Sequence, residues 1–181
     1  IDNQRLNNSD LEQKRKFGYV FEYPIYIEKF SSKEYLSFLA EMYSLPKTYY
    51  VERINWLLNF FEINEKKHIE TYSKGMKSKV SLAASLLHDP KYLVLDEPFD
   101  GIDFLMVQKI ESLFKDRSKE GKTVLVTSHQ LDLIADICHN FALINEGKIE
   151  FNMTKDDLST KQVNDSTGQS LKKYIETILG K

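Results

Sequence analysis

The stretch "SKGMKSKVSLAASLLHDPKYLVLDEP", Ser73 to Pro98, decides the fold. Ser73 to Asp89 reads as one long helix with Ser73 at its cap, and "YLVLDEP" follows as a buried strand. Four apolar residues drive that strand into a sheet, and Asp96 and Glu97 emerge at its carboxyl end. Downstream come a helix around Phe104 to Ser118, the apolar run "TVLVTS", a short helix "QLDLIADICH" and a hairpin "FALINEGKIEF" turning at Glu146-Gly147. Helices alternating with apolar strand runs predict an α/β fold, with a mostly parallel sheet covered on both faces. "TVLVTS" is expected to be buried in that sheet.

Upstream, "FGYVFE", Phe17 to Glu22, reads as a short strand stopped by Pro24, after a polar, loose or weakly helical opening segment. From Ser31 the pattern turns helical. Ser31 or Ser32 caps, Glu34 takes the capping-box position, and Tyr35, Phe38, Leu39 and Met42 share a face. "YYVERINWLLNFFEI" repeats the pattern with Val51, Ile54, Leu57, Leu58 and Phe61. The tail is polar from Asn152 until "SLKKYIETILGK", where Leu171, Tyr174, Ile175 and Ile178 make a last amphipathic helix. The expected organisation is an opening segment and strand over 1–24, a helical subdomain over 25–72, a strand-rich half over 73–155 and a helical tail over 156–181.

Bulk composition excludes several classes. With 181 residues, 41% apolar and 29% charged, the chain is ordinary for a globular protein. A net charge of −2 gives no basic excess, so no nucleic-acid partner is expected. One cysteine, Cys138, cannot build an internal disulfide framework and fits a reducing compartment. No apolar run approaches a membrane span, so no direct membrane insertion is expected.

Gly121-Lys122-Thr123 imitates the end of a phosphate loop, G-x-x-x-x-G-K-[ST]. The first glycine's place is held by Asp116, whose charge repels phosphate. The order is also reversed, because here a helix precedes the motif and a strand follows, whereas a phosphate loop leaves a strand and opens a helix. Gly121 is therefore read as the end of a helix, and no other glycine precedes Lys-Ser or Lys-Thr.

The chemistry lies in an ordered set of residues. Asp96, at the carboxyl end of its strand, suits magnesium, which prefers oxygen ligands and keeps several waters. Glu97, set to the other side by strand alternation, suits orienting or deprotonating water. Ser73 caps a helix whose first amides suit a phosphate oxygen, although a serine cap alone is common. His129, in "TSH" past the next strand, is a candidate to contact a γ-phosphate and its attacking water.

"YSKGMKSKVSLAASLLHDPKYLVLDEPFDGID" followed by "VLVTSH" resembles the second half of an ABC-transporter ATP-binding subunit, of the exporter type. "YSKGM" matches the signature motif, "YLVLDE" the Walker B strand, "GID" the D-loop, "SH" the H-loop and "FGYVFEYP" the Q-loop region. The resemblance implies a partial P-loop NTPase core plus an α-helical subdomain, with ATP and magnesium as cofactors. It implies that Asp96 and Glu22 support the metal, that Glu97 is the general base, and that His129 stabilises the transferring phosphoryl group. Ser73 and Gly75 would contact the γ-phosphate held by an opposite subunit, and Asp103 would lie across the dimer interface.

The implied partners are a second ATP-binding subunit and a transmembrane transporter subunit, with Tyr26, Phe30 and Tyr35 as docking residues. The implied location is cytoplasmic, peripheral to the inner face of the cell membrane. Lys74 and Met76 replace a glycine and the glutamine of the usual Leu-Ser-Gly-Gly-Gln, and Glu22 stands where an amide is frequent. The family's phosphate loop should precede the Q-loop, yet the chain starts at Ile1. That segment is expected to be missing, leaving these residues inactive alone and the sheet with unpaired edges.

Three other readings compete. A ribosome-acting ATPase with this cassette would carry two cassettes and a linker, neither visible here. A chromosome-maintenance or DNA-repair ATPase separates its halves by coiled coils, and no sustained heptad run flanks this sequence. A catalytically dead interaction domain would not need Glu97 and His129.

Overall fold

Tyr92–Asp96 is a strand, β2, and lies between β1 (Phe17–Val20) and β3 (Thr123–Thr127). All three run parallel, with Phe17 opposite Tyr92 and Asp96 opposite Thr127. The computed structural model describes residues 10–157 and 167–179, which divide into two units between Thr127 and Ser128. Parallel neighbours require crossovers. Helices α2 (Ser32–Met42), α3 (Lys47–Phe60) and α4 (Lys74–Leu86) lie between β1 and β2 in the chain, and α5 (Phe104–Lys119) between β2 and β3. A short α1, Leu11–Arg15, capped by Asp10, leads into β1.

The core of this first unit is the buried face of β2, Leu93 and Leu95, with Phe17, Leu82, Leu86 and Ile110. Helix α2 starts where its sequence directs. Ser31 Oγ accepts the Glu34 N–H and a Glu34 carboxylate oxygen accepts the Ser31 N–H at 2.7 Å. The face expected from Tyr35, Phe38, Leu39 and Met42 is not the core face. Leu36 and Ala40 are fully buried, whereas Met42 is 66% exposed. In α3, Ile54, Leu57 and Leu58 are buried as expected, and Val51 is exposed. "TVLVTS" is also not buried: Leu125 is 56% exposed, because β3 ends the three-stranded sheet. β1 stops at Val20, two residues short of the predicted strand.

The imitation phosphate loop is a helix end. Gly121 has φ +77° and its N–H donates to Ser118 O at 3.0 Å. Lys122 Nζ donates to the two Asp89 carboxylate oxygens at 2.9 and 2.8 Å, so this lysine is engaged within the fold. Buried Arg117 donates to the same carboxylate at 2.8 Å and to Pro90 O.

The second unit contains α6 (Leu131–Ile137), the antiparallel pair β4 (Asn140–Asn145) and β5 (Lys148–Thr154), and α7 (Thr167–Leu179). The hairpin turns at Glu146 and Gly147, both at positive φ, as a two-residue turn between twisted strands requires. Its core is Ala135, Phe141, Met153 and Leu171, with Tyr174 and Ile175 packed against it. No helix among the described residues is long and apolar enough to cross a membrane.

Candidate active site

The carboxyl end of β2 carries two acids in different surroundings. Thr127 Oγ1 donates to Asp96 Oδ1 across the β2–β3 pair. The Glu97 N–H donates to Thr127 O at 3.0 Å, and Glu97 then turns the chain with φ +45°. A glutamate in the left-handed region costs about 1 kcal/mol or more, a strain that recurs at functional positions. A tight loop follows, with Ile102 N–H donating to Phe99 O at 3.0 Å.

Alternation sends the two carboxylates to separate spaces. Glu97 lines a cavity of about 630 Å³ together with Glu22, Tyr26, Lys74 and Asp100. Asp96 lines a neighbouring cleft of about 690 Å³ that Glu22 also borders. Glu22 thus borders both spaces.

The start of α4 is clamped to the loop after Glu97. Ser73 caps the helix, its Oγ accepting the Met76 N–H at 3.4 Å. One residue on, Lys74 Nζ pairs with the Asp100 carboxylate. Ser78 Oγ donates to Asp100 O at 3.0 Å. Gly75 touches the backbone of Gly101 so closely that a Cβ would stand 1.9 Å from Gly101 O. Asp103 caps α5, accepting the Met106 N–H at 3.0 Å, and pairs with Lys79 Nζ at 3.2 Å. The Met106 bond first, and then Lys79, hold the Asp103 carboxyl below its ordinary range. Gly75 and Asp103 therefore have structural duties independent of any ligand.

The segment carrying Glu22 is fastened to the same helix. Tyr26 OH donates to Lys77 O at 2.7 Å and lies 2.7 Å from Ser81 Oγ, and burial pushes its pKa up to about 12. Lys77 reaches back to Glu28 at 3.4 Å. Tyr26, expected as a docking residue, thus uses its hydroxyl on α4. Sequence reasoning did not find this fastening or the Lys74–Asp100 and Lys79–Asp103 pairs. The run of opposite charges in "SKGMKSK" and "FDGID" was the available signal. His129 stands two residues past β3, in the second unit, where its carbonyl accepts the Leu131 N–H at 3.1 Å.

Among the described residues no group of three or more His, Cys, Asp or Glu side chains is arranged to hold a metal. The set at this end is two carboxylates, Asp96 and Glu22, on one cleft. That fits magnesium, which takes one or two carboxylates and completes its shell with water and phosphate oxygens.

A family model described as ABC transporter matches residues 1–100. The ABC transporter ATP-binding protein YcbN of Bacillus subtilis is 31% identical over 175 residues, covering 96% of this chain and 54% of that protein. A solved structure described as the ATP binding subunit of an ABC transporter superposes with TM-score 0.84 at 27% identity, covering 97% of this chain and 74% of the other. The structure of cbiO1 from Clostridium perfringens, described as part of the ABC transporter complex cbiONQ, superposes with TM-score 0.69 at 26% identity, covering 83% and 62%. The chain spans about half the length of the curated relatives it matches.

Proposed function

This chain belongs to the ABC transporter family, and from that premise we propose that it is the signature and Walker B portion of an ATP-binding subunit. In this reading it couples ATP hydrolysis, in a head-to-tail pair of subunits, to transport by a membrane partner, at the cytoplasmic face. The observation that carries the reading is the single cavity shared by Glu97, Glu22 and Lys74 beside the start of α4. It gathers residues from three separate sequence motifs at one end of the sheet.

Phosphoryl transfer is mostly positioning and charge stabilisation, so residues of two chains can share one reaction. Glu97, fixed by its strained turn, accepts the proton of the attacking water. Asp96, oriented by Thr127, and Glu22 would hold magnesium, whose charge offsets that of the phosphates. Ser73 and the first amides of α4, Gly75 among them, point at the γ-phosphate of a nucleotide held by the neighbouring subunit. Lys74 adds a positive charge beside them. Asp103 meets the neighbour across the interface. His129 stabilises the transferring group, a part that rests on the family resemblance. The two helices between Glu22 and Tyr72 have 11 and 14 residues, which supports the transporter reading over one with long coiled-coil arms.

The 181 residues contain no G-x-x-x-x-G-K-[ST]. A nucleotide therefore loses several charge-assisted hydrogen bonds of about 1.5–3 kcal/mol each, at about 1.4 kcal/mol per tenfold in affinity. Calorimetry of magnesium-ATP on these residues alone is expected to show no saturable micromolar binding. A polypeptide that unites them with a phosphate loop is expected to bind and hydrolyse ATP. Micromolar binding by the 181 residues alone would refute the division of labour.

A further inference from the structure

The cleft beside Asp96 has an aromatic lining that nucleotide chemistry leaves unused. Its volume of about 690 Å³ is that of a small-ligand site. Five aromatic rings line it, those of Tyr19, Phe21, Tyr23, Tyr35 and Tyr43. Among the described residues its charged lining residues are Glu22 and Asp96, with no lysine, arginine or histidine in the lining, and Lys74 acts on Glu22 from the adjoining cavity. The cleft is therefore both aromatic and anionic.

The rings have a defined order. Tyr19 stacks between Phe17, 5.6 Å away at 13°, and Phe21, 6.0 Å away at 9°, a ladder that runs from the core to the rim. Phe17 is buried, Tyr19 is half exposed and Phe21 is exposed. Tyr35 and Tyr43 form part of the cleft wall from α2 and its end, and burial raises both phenols, so they stay neutral. This is the α2 face whose periodicity suggested a core and which the structure turns to the cleft.

Elsewhere the protein covers aromatic faces with its own cations. Arg53 lies over Trp56, Lys67 over Tyr72, Lys77 over Tyr26 and Lys91 over Tyr92. Among the described residues no lysine or arginine lies over Tyr19, Phe21 or Tyr35, while one face of Tyr43 stacks on the His88 ring at 4.0 Å. Ring faces carry negative electrostatic potential and attract cations, more strongly once water is excluded. An anion entering here meets two carboxylates, and a neutral guest leaves them unused.

We propose that this cleft receives an organic cation, a guanidinium or alkylammonium head group whose charge faces Glu22 and Asp96 while its carbon skeleton lies against the rings. The proposal uses the carboxylates of Glu22 and Asp96 that the magnesium reading also uses, so the two cations exclude each other there and the organic cation is tested with magnesium absent.

The test is an NMR titration of the 181-residue chain, without magnesium, by butylguanidinium and by its neutral isostere butylurea. Saturable shifts are expected at amides of residues 19–25 and 35–43, with butylurea at least about tenfold weaker. Phe21→Leu and Tyr19→Leu keep an apolar surface but remove a ring face, and each is expected to weaken butylguanidinium at least about threefold with the circular dichroism spectrum unchanged. Neither touches a carboxylate, so their effect stands whatever becomes of the metal assignment. Glu22→Gln is expected to weaken it as well. A helical peptide bearing one arginine, against its citrulline counterpart, separates the sources. Tighter binding of the arginine peptide than of butylguanidinium assigns the head group to a polypeptide, and the reverse assigns it to a free small cation. Equal binding of butylguanidinium and butylurea, shifts confined to other residues, or no saturable shift with either probe would overturn the proposal.

Discussion

Replacing Gly75 by alanine sets two terms of opposite sign against each other. By helix propensity alone, Gly→Ala in α4 should stabilise by about 1 kcal/mol at most. By packing it should destabilise, because the new Cβ would stand 1.9 Å from Gly101 O and 2.7 Å from Gly101 C. Ordinary contact begins at 3.4 Å, so the two backbones must part by about 1.5 Å, and neither is a flexible side chain that yields cheaply. Overpacking of this kind costs about 3 kcal/mol, leaving a net loss of about 2 kcal/mol, or about thirtyfold in the folded ratio. For a unit of this size that lowers the melting temperature by about 8 °C. Urea and thermal melts of Gly75→Ala measure it. Gly121→Ala isolates the opposite case: φ is +77° there, unlike at helical Gly75, but a Cβ meets nothing within 4 Å, so only backbone strain of about 1 kcal/mol remains. A Gly75→Ala protein as stable as the parent would refute the claim that α4 is seated directly on the loop following Glu97.

Other outcomes follow from single contacts. Ser31→Ala removes the capping box of α2 and should cost about 1 kcal/mol in a urea melt; an unchanged midpoint would contradict it. In Asp89, burial raises the carboxyl, but bonds from Lys122 and Arg117 outweigh it and hold the folded pKa below the unfolded value. Its stabilisation is thus complete above about pH 4 and is lost as pH falls through the lower folded pKa. Asp89→Asn should therefore be less stable at neutral pH, with a shallower acid limb below pH 4; a parental acid limb would count against the cluster. Alkaline spectrophotometric titration should show a tyrosine ionising only at about pH 12, absent in Tyr26→Phe. Its persistence in the variant would dissociate Tyr26 from its bond to Lys77 O.

Local signals in the sequence gave the right elements. Ser31 with Glu34, and Ser73 ahead of an apolar helix, form caps within four residues of chain, so short-range chemistry decides them. "YLVLDE" declares a strand because its neighbours on both sides require apolar residues. "TVLVTS" looks the same in one dimension, yet Leu125 is exposed, since an apolar run does not say whether a further strand covers it. The faces of α2 were misassigned for a related reason: periodicity finds an apolar stripe but cannot tell a core from the wall of a cleft. At the site, the order of Asp96, Glu97 and Ser73 was legible as motif spacing. Gly75 against Gly101, Lys74 with Asp100 and Tyr26 on Lys77 O were not, because each joins segments 26 or more residues apart.

The most direct test of the account is single-turnover ATP hydrolysis by a polypeptide that unites this chain with a phosphate loop, comparing Glu97 with Glu97→Gln while nucleotide affinity is measured in parallel. If Glu97 takes the proton from water, the amide should slow hydrolysis by about 10²- to 10⁴-fold and leave affinity for magnesium-ATP unchanged. Parental turnover in the Glu97→Gln protein would contradict the central claim that this chain supplies the water-activating side of a shared nucleotide site.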